Sequence, residues 1–515
     1  MMKTHVDNIW VVALASKCKS LTPSNAIILA LVFLASWLIL NVIFWAHPGG
    51  SAWGRLRWWA KLRSMIPGPR GLPIIGSMNL MCGLAHRNLA STAEAWGAKR
   101  LMAFSLGETR AVVTCNPDVA RDILNGSSFV DRPPKESAYQ LMFNRSMGFA
   151  PYGVYWTTLR KIASAHLFCP DQLKASACQR LEIGNQVVDI FDSTCRDENS
   201  GVFQVRDVLK LASLNHMMCS VFGLDSAANP ETAELQDLVD EGYDLLGQLN
   251  WSDHFSFLAD LDVQGIRFRC SRLVPRVNRI LGRIMGEQEQ QQQQQHMGMG
   301  MGETNPKKRD FLHEMIFRGT DTVAVLMEWI LARVALHRDV QSKVQAELDE
   351  VVGRSRAVTE SDLTELVYLT AVVKEVLRLH PPGPLLSWSR LSIRDSVIDG
   401  YHVPAGTTAM VNMWAISRDP DIWPDPLSFK PERFLTGSEE ISVMGADLRL
   451  APFGSGRRSC PGKSMGMTAV SYWVARLLHE FEFDENGVDL SEELRLSCQM
   501  ANPLLVRVRR RIPSS

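Results

Sequence analysis

One cysteine stands out by its surroundings. Cys460 lies near the end of a glycine-rich, arginine-bearing stretch, residues 453–462, which reads FGSGRRSCPG. An apolar run over residues 463–478 follows and is predicted to be a helix. The sulfur would then lie near the free backbone N–H groups and the positive end of the helix dipole. Both favour a thiolate over a thiol, so Cys460 is a candidate metal ligand.

The neighbours of this cysteine favour a large flat ligand. Gly456 and Gly462 would let the backbone approach such a ligand closely, and Phe453 could cover one of its faces. Arg458 supplies a cation for an anionic edge. A thiolate that serves as axial ligand beneath a porphyrin fits this set of residues. A buried structural cysteine beside a glycine turn is the alternative, and it would be preferred if Cys460 stood alone.

The stretch matches the pattern F-x-x-G-x-R-x-C-x-G and resembles the signature of the haem-thiolate monooxygenases, the cytochrome P-450 superfamily. The resemblance implies a mainly α fold with small β-sheets and haem b held between a central helix and the cysteine loop. It makes Cys460 the iron ligand. Further segments, MAFSLGETR, KESAYQLMFNR and GFAPYGVYW, resemble plant A-type members of the plastochron and organ-size clade.

A second element must then face the cysteine loop. Residues 310–336 are apolar-rich and predicted to be a helix, which the segment Gly319-Thr320-Asp321-Thr322 would interrupt. An acid and a hydroxyl there could pass protons to bound dioxygen. The segment resembles the family's A-G-x-D/E-T, with Asp321 and Thr322 as the catalytic pair. A simple helix kink is the alternative reading, and Arg318 stands where the family usually has alanine.

The stretch before this helix looks short for the family. Residues 286–309 contain a glutamine run followed by Met-Gly repeats, and low complexity predicts a surface loop. At most about nine helical residues, 310–318, would then precede Gly319, or roughly 14 Å of helix. We expect a wider, wetter pocket and weaker folding as a consequence, with haem still bound.

Two more sets of residues match the family in chain order. Trp156 and Arg160 are four apart on a predicted helix and resemble its haem-propionate pair, although Thr157 replaces a second arginine that plant members usually carry. Glu375, Arg378 and Arg433 resemble the buried Glu-Arg-Arg network that holds the cysteine loop. Each pattern alone is weak, because tryptophans, arginines and E-x-x-R are common on helix surfaces. We also expect residues 500–503 to turn into the pocket.

The N-terminal part reads as a membrane anchor. Residues 26–46 are apolar, uncharged and long enough to span about 30 Å, the thickness of a bilayer core. Residues 47–73 form a basic, proline-rich linker before a catalytic domain over residues 74–515. The excess of Lys and Arg after the anchor predicts a cytosolic body and a short lumenal segment, residues 1–25. A cleaved signal peptide is the competing interpretation.

Composition excludes some classes of function. The 515-residue chain carries 55 basic and 55 acidic residues, so no electrostatic argument favours nucleic-acid binding. Its ten cysteines show no C-x-x-C pair and no zinc spacing. They predict reduced thiols in a cytosol-facing body.

The resemblance implies a cytochrome P-450 monooxygenase in the endoplasmic reticulum membrane. It would hydroxylate a small apolar substrate, such as a fatty acid or related lipid, in plant growth and organ-size control. Its partners would be O2, membrane lipid and a flavoprotein reductase that supplies electrons from NADPH. Three alternatives remain: a haem-thiolate isomerase or dehydratase that uses no O2, a haem-binding variant without activity, and a non-haem membrane scaffold. A carbon-monoxide difference spectrum and NADPH-dependent product formation would separate them.

Overall fold

The computed structural model describes residues 23–59, 65–142, 146–196, 202–222, 231–295, 306–386, 389–436 and 441–511. Helices dominate these ranges, joined by short 3₁₀ turns. The α-helices are α1 Pro23–Trp45, α2 Ser51–Trp59, α3 Ala85–Ala95, α4 Pro117–Asn125, α5 Glu136–Met142, α6 Val154–His166, α7 Pro170–Ala175, α8 Ala177–Arg196, α9 Arg206–Phe222, α10 Glu231–Gly247, α11 Ile266–Gln295, α12 Pro306–Leu336, α13 Arg338–Val351, α14 Val367–Leu379, α15 Met413–Ile416 and α16 Lys463–Glu480.

The strands form four small sheets. One sheet has the order β1-β2-β7-β4, in which β2 and β7 are parallel and pair Ala111 with Thr408. A second has the order β3-β11-β8, and two hairpins, β5-β6 and β9-β10, complete the set. The strands are β1 Met102–Leu106, β2 Thr109–Thr114, β3 Phe203–Gln204, β4 Arg390–Leu391, β5 Ser396–Ile398, β6 Tyr401–Val403, β7 Thr408–Val411, β8 Phe481–Glu485, β9 Glu492–Leu494, β10 Cys498–Met500 and β11 Leu505–Arg510. The predicted mainly α architecture with small β-sheets is confirmed.

Helix α12 is the central helix of the fold. It packs against α9, α10, α14 and α16, and its C-terminal half lies in the largest apolar core, where Trp329 and Ile330 are fully buried. Trp473 from α16 belongs to the same core. Apolar residues on nearly every face of this half of α12 are typical of a helix surrounded by others. The helix that carries Gly319 and the helix that follows the cysteine loop are therefore packed side by side.

Three expectations about helices α11 and α12 are wrong. Residues 286–295, predicted as part of a loop, continue helix α11 to Gln295, and α12 begins at Pro306, one turn earlier than predicted. Residues 296–305 lie outside the described residues. The helix also runs through Gly319–Thr322 with an unbroken α-helical assignment, so the predicted interruption is absent there. Glutamine is a good helix former, which explains how a run without apolar periodicity extends α11.

The N-terminal helix α1 has apolar side chains exposed along its length. A stretch of 20 residues, Ala26–Trp45, is long and apolar enough to cross a membrane. The helix end is tied to the body, because the Trp45 indole donates to the Gly71 carbonyl oxygen at 2.8 Å. The predicted linker, residues 47–73, contains helix α2 and is therefore partly ordered. Of the predicted lumenal segment, residues 1–22 lie outside the described residues.

Candidate active site

The cysteine loop is closed by its own backbone. The N–H of Cys460 donates to the Phe453 carbonyl oxygen at 2.9 Å, and the N–H of Ser459 donates to Gly456 at 3.0 Å. Gly462 is the N-cap of helix α16, so Cys460 lies two residues before the cap. The sulfur therefore lies near the N-terminus of α16, as predicted.

A cavity of about 230 Å³ lies beside this loop. Its lining includes Phe453, Cys460 and Gly462 from the loop and Thr322 from helix α12. Most other lining groups are apolar. They include Leu124, Met147, Phe168, Met217, Val323, Leu326, Leu377, Leu386, Met465, Val470 and Leu496. The cavity thus joins the candidate metal ligand to the candidate catalytic hydroxyl within one largely apolar space.

Arg160 and Arg458 line the cavity, as the sequence predicts. Arg160 donates to the Ser459 carbonyl oxygen at 2.7 Å. The buried Arg458 donates to the Val130 and Ala150 carbonyl oxygens at 3.0 and 2.8 Å. These acceptors orient the guanidinium groups, and the Asp131 carboxylate lies 3.8 Å from Arg458.

Sequence reasoning missed two further arginines in the cavity lining, Arg132 and Arg390. Arg390 belongs to strand β4 and donates to the Ser455 carbonyl oxygen at 3.2 Å. Burial, together with the nearby charges of Arg458 and Arg160, lowers the pKa of Arg390 to about 9. In the sequence, Arg132 is a single arginine in a Pro-rich loop and Arg390 a single arginine in a two-residue strand. Neither arginine has a spacing to other residues that would predict a place in the cavity.

Four guanidinium groups line one cavity, Arg132, Arg160, Arg390 and Arg458, and their combined charge favours an anionic ligand. Buried like charges repel each other strongly, and a bound anion relieves that repulsion. A ligand with two carboxylates at one edge and a flat apolar body matches both the cations and the apolar lining. Haem b has this chemistry, with two propionates on one edge and an iron that accepts a thiolate. The residues present therefore fit haem.

Trp156 differs from its predicted role. Its indole N–H donates to the Met147 carbonyl oxygen at 2.9 Å, so in this structure it is not directed at an anionic ligand. The guanidinium of Arg458 lies over the indole ring, 4.2 Å from the centroid. A cation over an aromatic face is an attractive arrangement. Trp156 thus supports Arg458 from beneath, and the tryptophan acts on the cavity indirectly.

Gly456 also has another role than the predicted one. Its φ is +69°, and a Cβ there would lie 2.2 Å from the Leu124 carbonyl oxygen at the end of α4. The glycine therefore allows the cysteine loop to approach helix α4. Gly454, which was not predicted, lines the cavity along with Gly462.

Gly319 allows close packing between α12 and α9. A Cβ at Gly319 would lie 2.5 Å from the sulfur of Met217. The Ser213 hydroxyl of α9 reaches the Gly319 carbonyl oxygen at 3.4 Å. The contact with α9 fixes the part of the central helix that presents Thr322 to the cavity.

Asp321 lies behind Thr322 and faces helices α9 and α10. Lys210 lies 3.6 Å from Asp321 Oδ1 and 2.9 Å from Asp240 Oδ1, so one ammonium bridges two carboxylates. Burial raises the pKa of Asp321, and the charge of Lys210 opposes that rise. Within the described residues Asp321 Oδ2 has no hydrogen-bond partner.

The structure brings Glu375, Arg378 and Arg433 together. Arg378 forms a two-pronged pair with the Glu375 carboxylate, both contacts 2.8 Å, and Arg433 donates to the same carboxylate at 3.1 Å. Arg378 also donates to the Ser417 and Pro426 carbonyl oxygens at 2.8 and 2.7 Å. The network thus links α14 to the segment that precedes the cysteine loop.

The C-terminal contribution to the cavity differs from the expected one. Residues 500–503 do not belong to its lining among the described residues, whereas Leu496 does. Leu496 lies in the turn between β9 and β10. The register of this hairpin, which sequence reasoning did not predict, selects the residue that reaches the cavity.

A second cluster of possible metal ligands lies outside the cavity lining. His86, Glu492 and Cys498 place their ligand atoms within 4.8 Å of one another. The carboxylate of Glu492 is already engaged, because Arg87 lies 2.7 Å from it and His86 3.3 Å. These partners lower the pKa of Glu492. The cluster is therefore explained as a buried hydrogen-bonded ion pair.

The fold, the loop cysteine beside a central helix and the ring of arginines define a haem-thiolate protein. The family profile of Cytochrome P450 matches residues 66–505, and the chain belongs to that family. Among its relatives is "Cytochrome P450 78A3" of Glycine max, 57% identical over 528 residues, which covers 99% of this chain and 100% of the relative. "Cytochrome P450 78A9" of Arabidopsis thaliana is 58% identical over 531 residues, with 99% of each chain covered.

These relatives identify the chain as a plant A-type cytochrome P450 monooxygenase of the 78A group. A zebra fish cytochrome P450 structure with progesterone shares the fold, with a TM-score of 0.68, 24% identity, and coverage of 83% of this chain and 99% of that chain. The alignments of 528 and 531 positions exceed the 515 residues of this chain. This chain therefore lacks residues that those relatives have.

Proposed function

We propose that this chain is a membrane-anchored monooxygenase that hydroxylates a small apolar substrate with O2, and that Cys460 is the axial ligand of its haem. The observation that carries the proposal is the single apolar cavity whose lining includes both Cys460 and Thr322. A thiolate ligand favours O–O cleavage, and a hydroxyl in the same cavity could donate a hydrogen bond to bound O2.

The chain's own residues would hold the cofactor at its edge and beneath its centre. Arg132, Arg160, Arg390 and Arg458 would bind the propionates, and Cys460 would bind the iron. Phe453 and Gly462 line the cavity next to the thiolate. The haem supplies the activation of O2 and the oxidation of a C–H bond. The largely apolar lining lowers the local dielectric constant, which strengthens charge interactions in the cavity.

Proton delivery would follow Asp240, Lys210, Asp321 and Thr322. The side chain of Asp240 is 40% exposed, that of Lys210 10% and that of Asp321 4%, so the three groups run from solvent to the interior. Burial raises the pKa of Asp321, which keeps a proton on this carboxyl to higher pH. Its Oδ2, without a partner in the described part of the chain, is free to pass that proton toward Thr322.

We expect Asp321→Asn and Thr322→Ala to uncouple the enzyme. Neither residue is among those proposed to hold the haem, so the carbon-monoxide difference spectrum should remain. Loss of a general acid typically costs 10²–10⁴-fold, and we expect product per NADPH to fall by about tenfold or more while peroxide rises. Product, peroxide and NADPH are measured together with purified reductase. Thr320→Ala, at a buried neighbour outside the cavity lining, is the matched control, and unchanged coupling in Thr322→Ala would refute the relay.

The substrate would be a fatty acid or a related lipid. The clade favours this class, and the largely apolar cavity lining supports it. A role in plant growth and organ size follows from the same clade. The two remaining haem-based alternatives, an isomerase or dehydratase that uses no O2 and an inactive variant, both predict no NADPH-dependent hydroxylation. Incubation with dodecanoate, NADPH and reductase under O2 and under argon separates all three.

The electron donor would be the NADPH-dependent flavoprotein reductase of the same membrane. The cysteine loop lies against α4 and exposes Arg457 to solvent, while Arg121 of α4 pairs with Asp118 at 3.6 Å. The cation of Arg457 on the thiolate side suits an acidic partner, because complementary charge steers the encounter of two proteins.

The anchor would place the body on the cytosolic face of the endoplasmic reticulum. Beyond α1, apolar side chains are exposed on the segment 251–268, and they include Phe257, Leu261, Val263 and Phe268. This segment adjoins the N-terminal part, because Glu108 contacts both Arg55 and the Ser256 N–H. The segment and the anchor thus support contact with one membrane surface.

Deletion of residues 1–46 should weaken membrane binding without abolishing it. The remaining apolar segment should still hold a fraction of the protein on phosphatidylcholine vesicles, measured by co-sedimentation. Adding Phe257→Glu and Phe268→Glu to the deletion should release it, because a charge in lipid is costly. The matched control adds Val397→Glu, at an exposed residue of the separate β5-β6 hairpin. Equal release by the control would contradict a specific membrane face.

A further inference from the structure

A tyrosine joins the Asp321 carboxyl to the hairpin that lines the cavity. Tyr243 lies in helix α10, is 4% exposed and belongs to the cavity lining. Its hydroxyl hydrogen-bonds the Ser497 hydroxyl and also the side chain of Asp321. One phenol therefore contacts the central helix and the β9-β10 hairpin at the same time.

The hairpin contact is close to the space that a substrate would occupy. Ser497 follows Leu496, and Leu496 lines the cavity between β9 and β10. Ser497 is buried, so its hydroxyl contact with Tyr243 is shielded from water. The Ser497 hydroxyl thus fixes the Tyr243 phenol from the β9-β10 hairpin, which also lines the cavity.

The Tyr243 hydroxyl can donate a hydrogen bond to the ionised carboxylate of Asp321. An ionised carboxylate only accepts hydrogen bonds, so it needs donors once it has given up its proton. Lys210 approaches Asp321 from α9, and the Tyr243 hydroxyl approaches it from α10. The other charged group that acts on Asp321 is Asp240, which opposes its ionisation. Lys210 and Tyr243 therefore stabilise the anion, against burial and Asp240.

We propose that Tyr243 is a positioning residue for proton delivery: its hydroxyl, fixed by Ser497, orients Asp321 and stabilises the carboxylate that remains after each proton transfer. The inference rests on the proposed proton-delivery function of Asp321. It assigns no contact between Tyr243 and the reacting atoms.

Tyr243→Phe tests this inference, since it removes one oxygen and keeps the ring in the cavity wall. With dodecanoate, NADPH and reductase, product per NADPH should fall by about tenfold, the factor that corresponds to a lost hydrogen bond to a charged group. The pKa of Asp321 should rise when its donor is lost, so the decline of coupling with rising pH should move to higher pH. The fall occurs on that side because a deprotonated Asp321 has no proton to give.

Two further measurements separate proton delivery from a change of cavity shape. Turnover driven by hydrogen peroxide brings its own protons and should be unchanged in Tyr243→Phe. Ser497→Ala keeps the phenol and removes its support, so its coupling should lie between those of the wild type and Tyr243→Phe. A parallel loss of peroxide-driven turnover in Tyr243→Phe would overturn the inference. Wild-type coupling in Ser497→Ala would overturn the part assigned to Ser497.

Asp321→Asn separates a failure of the inference about Tyr243 from a failure of the proposed proton delivery. If Asp321→Asn uncouples the enzyme while Tyr243→Phe behaves like the wild type, the inference about Tyr243 is wrong and the proton-delivery function stands. If Asp321→Asn itself leaves coupling unchanged, the proton-delivery function is wrong, and the inference about Tyr243 fails with it.

Discussion

Cys460→Ala should abolish the carbon-monoxide difference band of a thiolate-ligated haem. The change removes the sulfur that lines the cavity and leaves the backbone contact from residue 460 to Phe453 in place. The loop should therefore keep its shape while the iron loses its axial ligand. Monooxygenation should be lost entirely, because electron density from a thiolate favours O–O cleavage. The measurement is the difference spectrum of the reduced protein, with circular dichroism as a check on folding.

Cys498→Ala is the matched control for this experiment. Cys498 is also buried, and it lies near a histidine and a carboxylate that could hold a metal. Burial raises the pKa of its thiol far above the usual range, so this cysteine is a poor thiolate. The control should retain the band. A band that survives in Cys460→Ala and vanishes in Cys498→Ala would reverse our assignment of the ligand.

The parts of the site that the sequence predicted are contiguous motifs. The loop around Cys460 and the pair Asp321-Thr322 depend on neighbours in the chain, so their composition carries most of the information. Arg132 and Arg390 reach the cavity only because a loop and a short strand fold against it. A single arginine has no periodicity or spacing from which a place in the cavity lining could be predicted. Only the structure therefore identifies all four arginines.

The protein contacts of Gly456 and Trp156 were not predictable from the sequence, because they involve partners outside each motif. Gly456 looked like a ligand contact, but the atom that forbids a side chain there is the Leu124 carbonyl oxygen. Trp156 looked like a donor to an anion, but a carbonyl of the preceding loop takes its N–H. The motif marks such residues as part of the site. The contacts that each one makes depend on the residues that pack against it in the folded chain.

The helical conformation of the glutamine run could not be predicted from hydrophobic periodicity. Helix α11 continues to Gln295, beyond Ile284, which belongs to the packed core. This part of the sequence has no apolar periodicity that would predict a helix. The helix propensity of glutamine, and the ease of adding residues to an existing helix, suffice to extend α11. The central helix was likewise predicted to start one turn too late, because its first residues are polar.

Glu375 is the position where a single substitution should cost the most stability. The side chains of Glu375 and Arg378 are both fully buried, so their charges compensate each other away from water. The same carboxylate accepts from Arg433 and from the Lys430 N–H, at 3.1 and 2.9 Å. Four donor contacts therefore depend on one anion, and no other carboxylate contacts Arg378 among the described residues.

Glu375→Gln keeps the shape of this side chain and removes its charge. One amide group would then face guanidinium donors, and Arg378 would remain as a buried, uncompensated cation. Breaking a buried pair in this way typically costs about 3–5 kcal/mol, a large share of the free energy of unfolding of a domain. We expect a lower unfolding midpoint, measured by haem absorbance, and less haem incorporated. Asp425→Asn is the control: its pair with Lys430 is more than half exposed, so the unfolding midpoint should change little. Equal midpoints for the two variants would show that the Glu375 network does not hold the cysteine loop.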